Sequence, residues 1–116
     1  MYTKDLSVSY LIDVYGSLLS DRRREIIEAY YFDDLSLAEI ADNTGITRQG
    51  VRDSIKKSEN ELKSIEDSIH LASLIKKYDS RTKELADRID EIRSALPSSA
   101  SSQLEMISSE LRSISE

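Results

Sequence analysis

The sequence predicts an all-α protein. Apolar residues recur at three- and four-residue spacing along most of its 116 positions. Helix-start signals interrupt that pattern, and only three glycines and one proline are present for sheets or tight turns. Hydrophobic residues make up 39% of the chain, enough for a modest core, and charged residues 33%, which implies a well-solvated surface.

The first helix is expected from about Leu6 to Leu19, where Leu6, Tyr10, Leu11, Val14, Leu18 and Leu19 keep helical spacing. Ser20 offers an N-cap oxygen to a second helix, DRRREIIEAYYF, which Asp33 and Asp34 end. Its Ile26, Ile27, Tyr30 and Tyr31 share one side, so Tyr30, Tyr31 and Phe32 read as core packing rather than as stacking surfaces for bases.

The third start signal is the most complete. Ser36 and Glu39 form a capping box, and Leu35 and Ile40 stand where a hydrophobic staple holds the entry angle. That helix begins at Leu37 and stops near Asn43-Thr44-Gly45, with Gly45 supplying a left-handed turn residue. Thr47 caps a fourth helix, whose stripe runs through Val51, Ile55, Leu62, Ile65 and Ile69. Tyr78, Thr82, Leu85, Ile89, Ile92 and Leu96 continue it, with a bend expected near Asp79-Ser80. PSSASSQ, from Pro97 to Gln103, reads as a turn or short linker. Leu104, Ile107, Leu111 and Ile114 mark a last helix that folds back antiparallel.

This gives two regions: a helix-turn-helix bundle over 1–62, and a helical extension over 63–116 made of a long helix and a C-terminal hairpin. A continuous helix from Lys63 to Leu96 would be roughly 50 Å long, more than the bundle can cover. A second copy of the chain is the expected cover, so a homodimer is expected.

The helix-turn-helix shape rests on small and apolar residues at the required places. Ala41 permits close crossing, Gly45 makes the turn, and Ile40, Ile46, Val51 and Ile55 fill the space between the helices. In that shape Thr47, Arg48, Gln49, Arg52, Asp53, Lys56 and Lys57 line the exposed start of the second helix. Arg48, Arg52 and Gln49 suit base edges, and Lys56 and Lys57 suit phosphates, whereas Asp53 opposes them. Thr47 to Lys57 carries four basic residues against one acidic, although the whole chain has a net charge of −6. Arg22, Arg23 and Arg24 admit two readings: phosphate contact, or pairing with Asp21, Glu25 and Glu28.

Catalysis is disfavoured by composition. There is one histidine, His70, no cysteine and no Gly-rich phosphate loop, so neither a metal nor another cofactor is expected. No stretch approaches a membrane span, and the start MYTKDLSVSYL lacks an export pattern, so a cytoplasmic protein without a membrane partner is expected.

The stretches LLSD (Leu18 to Asp21), YYFDDLSLAEIA (Tyr30 to Ala41) and TRQGVRDSIK (Thr47 to Lys56) resemble the YlxM family of small bacterial helix-turn-helix proteins. Two positions depart from that pattern: Gly50 stands where the family usually has Ala, and Arg52 where an aromatic is common. The motif of that family is similar to region 4 of bacterial sigma factors, and its genes typically neighbour those of the signal recognition particle GTPase. The resemblance therefore implies a regulatory accessory role in protein targeting, through the particle's RNA or its GTPase. The alternative is a dimeric transcription regulator reading duplex DNA, and a third is an adaptor that binds only protein.

Overall fold

A computed structural model describes residues 4–115 as six α-helices, with no strand among the described residues. They are α1 (Leu6–Tyr15), α2 (Asp21–Tyr31), α3 (Leu37–Thr44), α4 (Arg48–Ile69), α5 (Leu71–Arg93) and α6 (Ser98–Ile114). The chain forms two compact units, Met1–Ala72 and Ser73–Glu116. No described helix is long and apolar enough to cross a membrane.

Each helix of the first unit starts on a side-chain oxygen. Asp5 caps α1 through the Ser7 N–H at 3.0 Å, Ser20 caps α2, and Thr47 accepts from the Gly50 N–H at 3.0 Å to cap α4. At α3 both halves of the capping box form: the Glu39 N–H donates to the Ser36 hydroxyl at 3.1 Å, and the Ser36 N–H donates to the Glu39 carboxylate at 3.3 Å. Gly45 ends α3 at φ +75°. Gly50 also has a local reason, because a Cβ there would lie 3.2 Å from the Thr47 oxygen that makes the cap.

The core is gathered on one edge of α4. Val51, Ile55 and Leu62 are buried there with Val8, Ile12, Tyr15, Leu19, Ile26, Ile27, Tyr30, Tyr31, Ile40 and Ala41 from the three preceding helices and their connections. Each large aliphatic side chain removed from water contributes about 1.5–3 kcal/mol. Tyr15 shows how the polar tips are satisfied: its hydroxyl donates to Glu66 at 3.1 Å, and accepts from the buried Ala72 N–H at 3.1 Å.

That contact explains the largest departure from the expected layout. No single helix runs from Lys63 to Leu96, because His70 takes a left-handed conformation at φ 58° and separates α4 from α5. Its own N–H donates to the Glu66 carbonyl at 2.8 Å, while Glu66 also receives the Ala72 N–H. The chain turns so that a backbone donor meets a partner in the core. Ala72 thus belongs with the first unit, whose border lies beyond the 62/63 position expected from sequence. No break in the helix interrupts Asp79-Ser80, and α5 continues through both residues.

Smaller corrections have similar causes. The first helix stops at Tyr15 and a tighter 3-10 turn covers Gly16–Leu18, which sends Leu19 into the core while Leu18 stays exposed. Phe32 is exposed, unlike its neighbours Tyr30 and Tyr31, because α2 has already ended. Most of PSSASSQ is helical, with only Pro97 outside α6. Ser102 bonds the Ser98 carbonyl at 2.9 Å, which lets a serine-rich segment sit inside a helix.

The second unit is an antiparallel hairpin of α5 and α6. Arg112 bridges Asp87 and Asp90 at 2.7 Å each, Arg93 pairs with Glu105 at 3.3 Å, and the Ser108 hydroxyl reaches the Ala86 carbonyl at 3.4 Å. The Arg112 guanidinium holds the Asp90 carboxyl below its ordinary 3.8.

Two measurements check these devices. Gly45→Ala forces a Cβ into left-handed backbone with no neighbour to relieve it, so a loss of about 1–2 kcal/mol is expected in thermal or denaturant unfolding followed by circular dichroism. Asp90, with its lowered pKa, favours the hairpin above the ordinary carboxylate value of 3.8, and that contribution disappears as pH falls through the lowered value. Amide NMR spectra of Ser108 to Arg112 should therefore change in strongly acidic solution, and Asp90→Asn should remove most of that change.

Candidate nucleic-acid interface

The turn between α3 and α4 is built from both sides. Ala41 is buried at the helix crossing, the Thr44 hydroxyl donates to the Ile40 carbonyl at 2.7 Å, and the Gly45 N–H returns to the Ala41 carbonyl at 2.9 Å. Arg22 of α2 then donates to the Thr44 carbonyl at 2.6 Å, placing a cation at the negative end of α3. The start of α4 is held in place by packing as well as by its cap.

From there the residues of α4 divide by face. Val51, Ile55, Ser58 and Leu62 point inward, while Thr47, Arg48, Gln49, Arg52, Asp53, Lys56 and Lys57 are exposed. Arg48, Arg52 and Lys56 recur every four residues, giving a row of cations along one line of the helix. No hydrogen bond or ion pair within the described residues engages Arg48, Arg52, Lys56 or Lys57. The first turn of α4 contains no acidic residue, so Arg48 adds to the positive end of the helix dipole.

Two of the exposed residues have internal partners. Thr47 uses its oxygen for the cap, and Gln49 donates to Asp53 at 2.9 Å. The Gln49–Asp53 bond fixes the amide one line away from the cationic row, and it gives Asp53 a partner other than a phosphate's counter-charge.

The α2 arginines do a different job. Arg23 donates through Nε to the buried Ser58 hydroxyl at 3.1 Å and pairs with Glu61 at 2.6 Å, so it joins α2 to α4. Arg24 pairs with Glu28 one turn on, at 2.8 Å. With Arg22 on Thr44, all three have partners inside the chain, only one of which, Glu28, is among the acids expected from the sequence.

One feature of this surface was not legible in the sequence. Tyr30 of α2, Leu37 of α3 and Ile55 of α4 line a cleft of about 130 Å³, with Arg52, Lys56 and Glu59 at its edge. Tyr30 and Ile55 read as ordinary core residues and Glu59 as a solvated charge. Nothing in their spacing signals that three helices leave a space between them.

The chain as a whole is similar to known proteins. Residues 2–106 match the family described as "Putative helix-turn-helix protein, YlxM / p13 like". A UPF0122 protein of Shouchella clausii is 40% identical over 98 residues, covering 84% of each chain. One from Thermoanaerobacter sp. is 37% identical over 91 residues, covering 78% of this chain and 72% of the relative. One from Malacoplasma penetrans is 52% identical over 66 residues, which is 56% of this chain and 62% of the relative. With the helix-turn-helix geometry present and nearly the whole chain matched, the protein belongs to the YlxM / p13-like helix-turn-helix family.

Proposed function

We propose that this protein is a non-catalytic, nucleic-acid-binding accessory protein that regulates the signal recognition particle pathway, with the particle's RNA as the first candidate ligand. The observation that carries the nucleic-acid part is the row of exposed, unpaired Arg48, Arg52 and Lys56, with Lys57 beside it, at the positive end of a helix held by a helix-turn-helix. The targeting pathway is supported by the YlxM-type motifs at Leu18–Asp21, Tyr30–Ala41 and Thr47–Lys56 alone.

A second reading is a dimeric regulator of duplex DNA. It is supported by apolar side chains that α5 and α6 leave exposed, among them Tyr78, Ile92, Met106 and Ile114, which a second copy would cover. Such a dimer would have to present two α4 helices about 34 Å apart.

Fluorescence anisotropy of labelled signal recognition particle RNA, with excess random duplex DNA as competitor, separates the readings. The expected result is binding that survives the competitor and is lost in the Arg48→Glu, Arg52→Glu, Lys56→Glu variant. Unchanged affinity in that variant would remove α4 as the binding surface and leave a protein-binding adaptor. Binding lost to the duplex competitor would favour the DNA regulator.

Salt dependence supplies an independent check. Lys57→Ala should reduce the slope of log affinity against log salt by about one phosphate's worth, roughly 0.7 for a single strand and 0.9 for a duplex. Isothermal titrations at several salt concentrations measure it.

A further inference from the structure

The hairpin of α5 and α6 leaves one line of α5 uncovered. Leu74, Tyr78, Leu85, Ile92 and Leu96 lie along it at helical spacing. The residues that hold α6, among them Ala86, Asp90 and Arg93, occupy a neighbouring face. Tyr78 and Ile92 are 57% and 59% exposed, Leu74 and Leu96 are also exposed, and Leu85 is half-buried. Contiguous apolar side chains on an otherwise charged hairpin mark an interface.

Their spacing says what fits there. Counted from Leu85, Tyr78 and Ile92 stand seven residues away in opposite directions, and Leu74 and Leu96 stand eleven. The line therefore reads the same from either end. A surface symmetric about its own midpoint is complementary to a copy of itself turned end to end, which is what a two-fold interface requires. We infer that two copies of the chain pair along α5, antiparallel, with Leu85 beside its own counterpart on the two-fold axis. Tyr78 then meets Ile92 of the second copy, and Leu74 meets Leu96. This rests on the second copy invoked above for the DNA-reading dimer, and it is equally compatible with an RNA ligand.

Charge sets the direction. Lys76 to Lys83 carries four basic residues against one acidic, and Glu84 to Glu91 carries four acidic against one basic. Arg112 of α6 already answers Asp87 and Asp90 in the acidic half. Glu84 and Glu91 stay exposed on one flank of the apolar line, as do Lys77, Arg81 and Arg88. A parallel pair would set each of these against its own copy, like against like, which is unfavourable. The antiparallel pair sets Lys77 opposite Glu91 of the second copy, and Glu84 opposite Arg88. Arg81 also comes near Arg88 there, and its pairing with Glu84 at 3.1 Å offsets that approach. An unrelated helix as occupant would not require the apolar spacing and the flanking charges to agree on one axis.

The test uses the full chain. At sedimentation equilibrium it should have about twice the 13.2 kDa of one chain. Tyr78→Glu combined with Ile92→Glu should give monomers of unchanged helix content by circular dichroism, because both side chains are exposed. Lys77→Glu should weaken the dimer about tenfold, since it reverses one rim pair on each side of the axis, and adding Glu91→Lys should restore it.

Disulfides read the direction, because the chain has no cysteine of its own. A disulfide needs Cα atoms within about 7 Å. Leu85→Cys should link to itself on oxidation, with a melting curve to verify the fold. Leu74→Cys should not, since its two copies would stand roughly 33 Å apart along the pair, but it should link when mixed with Leu96→Cys. A monomeric mass at every concentration would overturn the pairing. So would a dimer that survives the Tyr78 and Ile92 substitutions, or a Leu74→Cys that links to itself while Leu85→Cys does not. A monomer would also remove the DNA-reading dimer, and would leave the RNA reading to the anisotropy of the α4 row.

Discussion

The first unit depends on burial of one edge of α4. Val51, Ile55, Ser58 and Leu62 lie on that edge, and α1, α2 and α3 all pack against it. Because one helix supplies the common surface, fixing its core edge also fixes its outer edge. The cationic row needs no separate support: Arg48, Arg52 and Lys56 stand where they do because Val51 and Ile55 are buried. Ser58 makes the point from inside, since a hydroxyl with no exposure requires a donor or acceptor, and Arg23 crosses from α2 to provide it. The interaction that satisfies the core also withdraws Arg23 from the surface.

Two sets of cations therefore have two fates. The α2 guanidiniums have partners within the chain: Arg22 at the end of α3, Arg23 between α2 and α4, and Arg24 along its own helix. The α4 cations have no such partners, and Gln49 and Asp53 answer each other rather than the row. That difference separates cations that hold the fold from cations left for something outside it, and only packing across helices can make that separation.

Legibility in the sequence follows from range. Caps and turns depend on residues within four positions of one another, so Ser20, the Ser36–Glu39 box, Gly45 and Thr47 were readable and are where they were expected. The break at His70 was not, because its cause is Tyr15, far away in sequence, and neither Gly nor Pro marks the site. The partners of Arg22 and Arg23 lie on α3 and α4, so their roles stayed open for the same reason. The cleft was hidden more deeply. Its lining residues are ordinary core types, and it exists only because Tyr30, Leu37 and Ile55 do not close the gap between three helices.

A net acidic chain can still offer one face to a polyanion, because binding needs only one favourable approach. The groove between α2 and α3 is lined by Glu25, Glu28 and Asp33, and Arg24 and Arg22 reach two of its lining residues, Glu28 and Thr44. The α2 cations there are balanced by acids, whereas the exposed cations of the α4 row are where a phosphate backbone would find a favourable approach. Non-specific adhesion is weakened by the net charge of −6, while a ligand that fits one face keeps its local contacts.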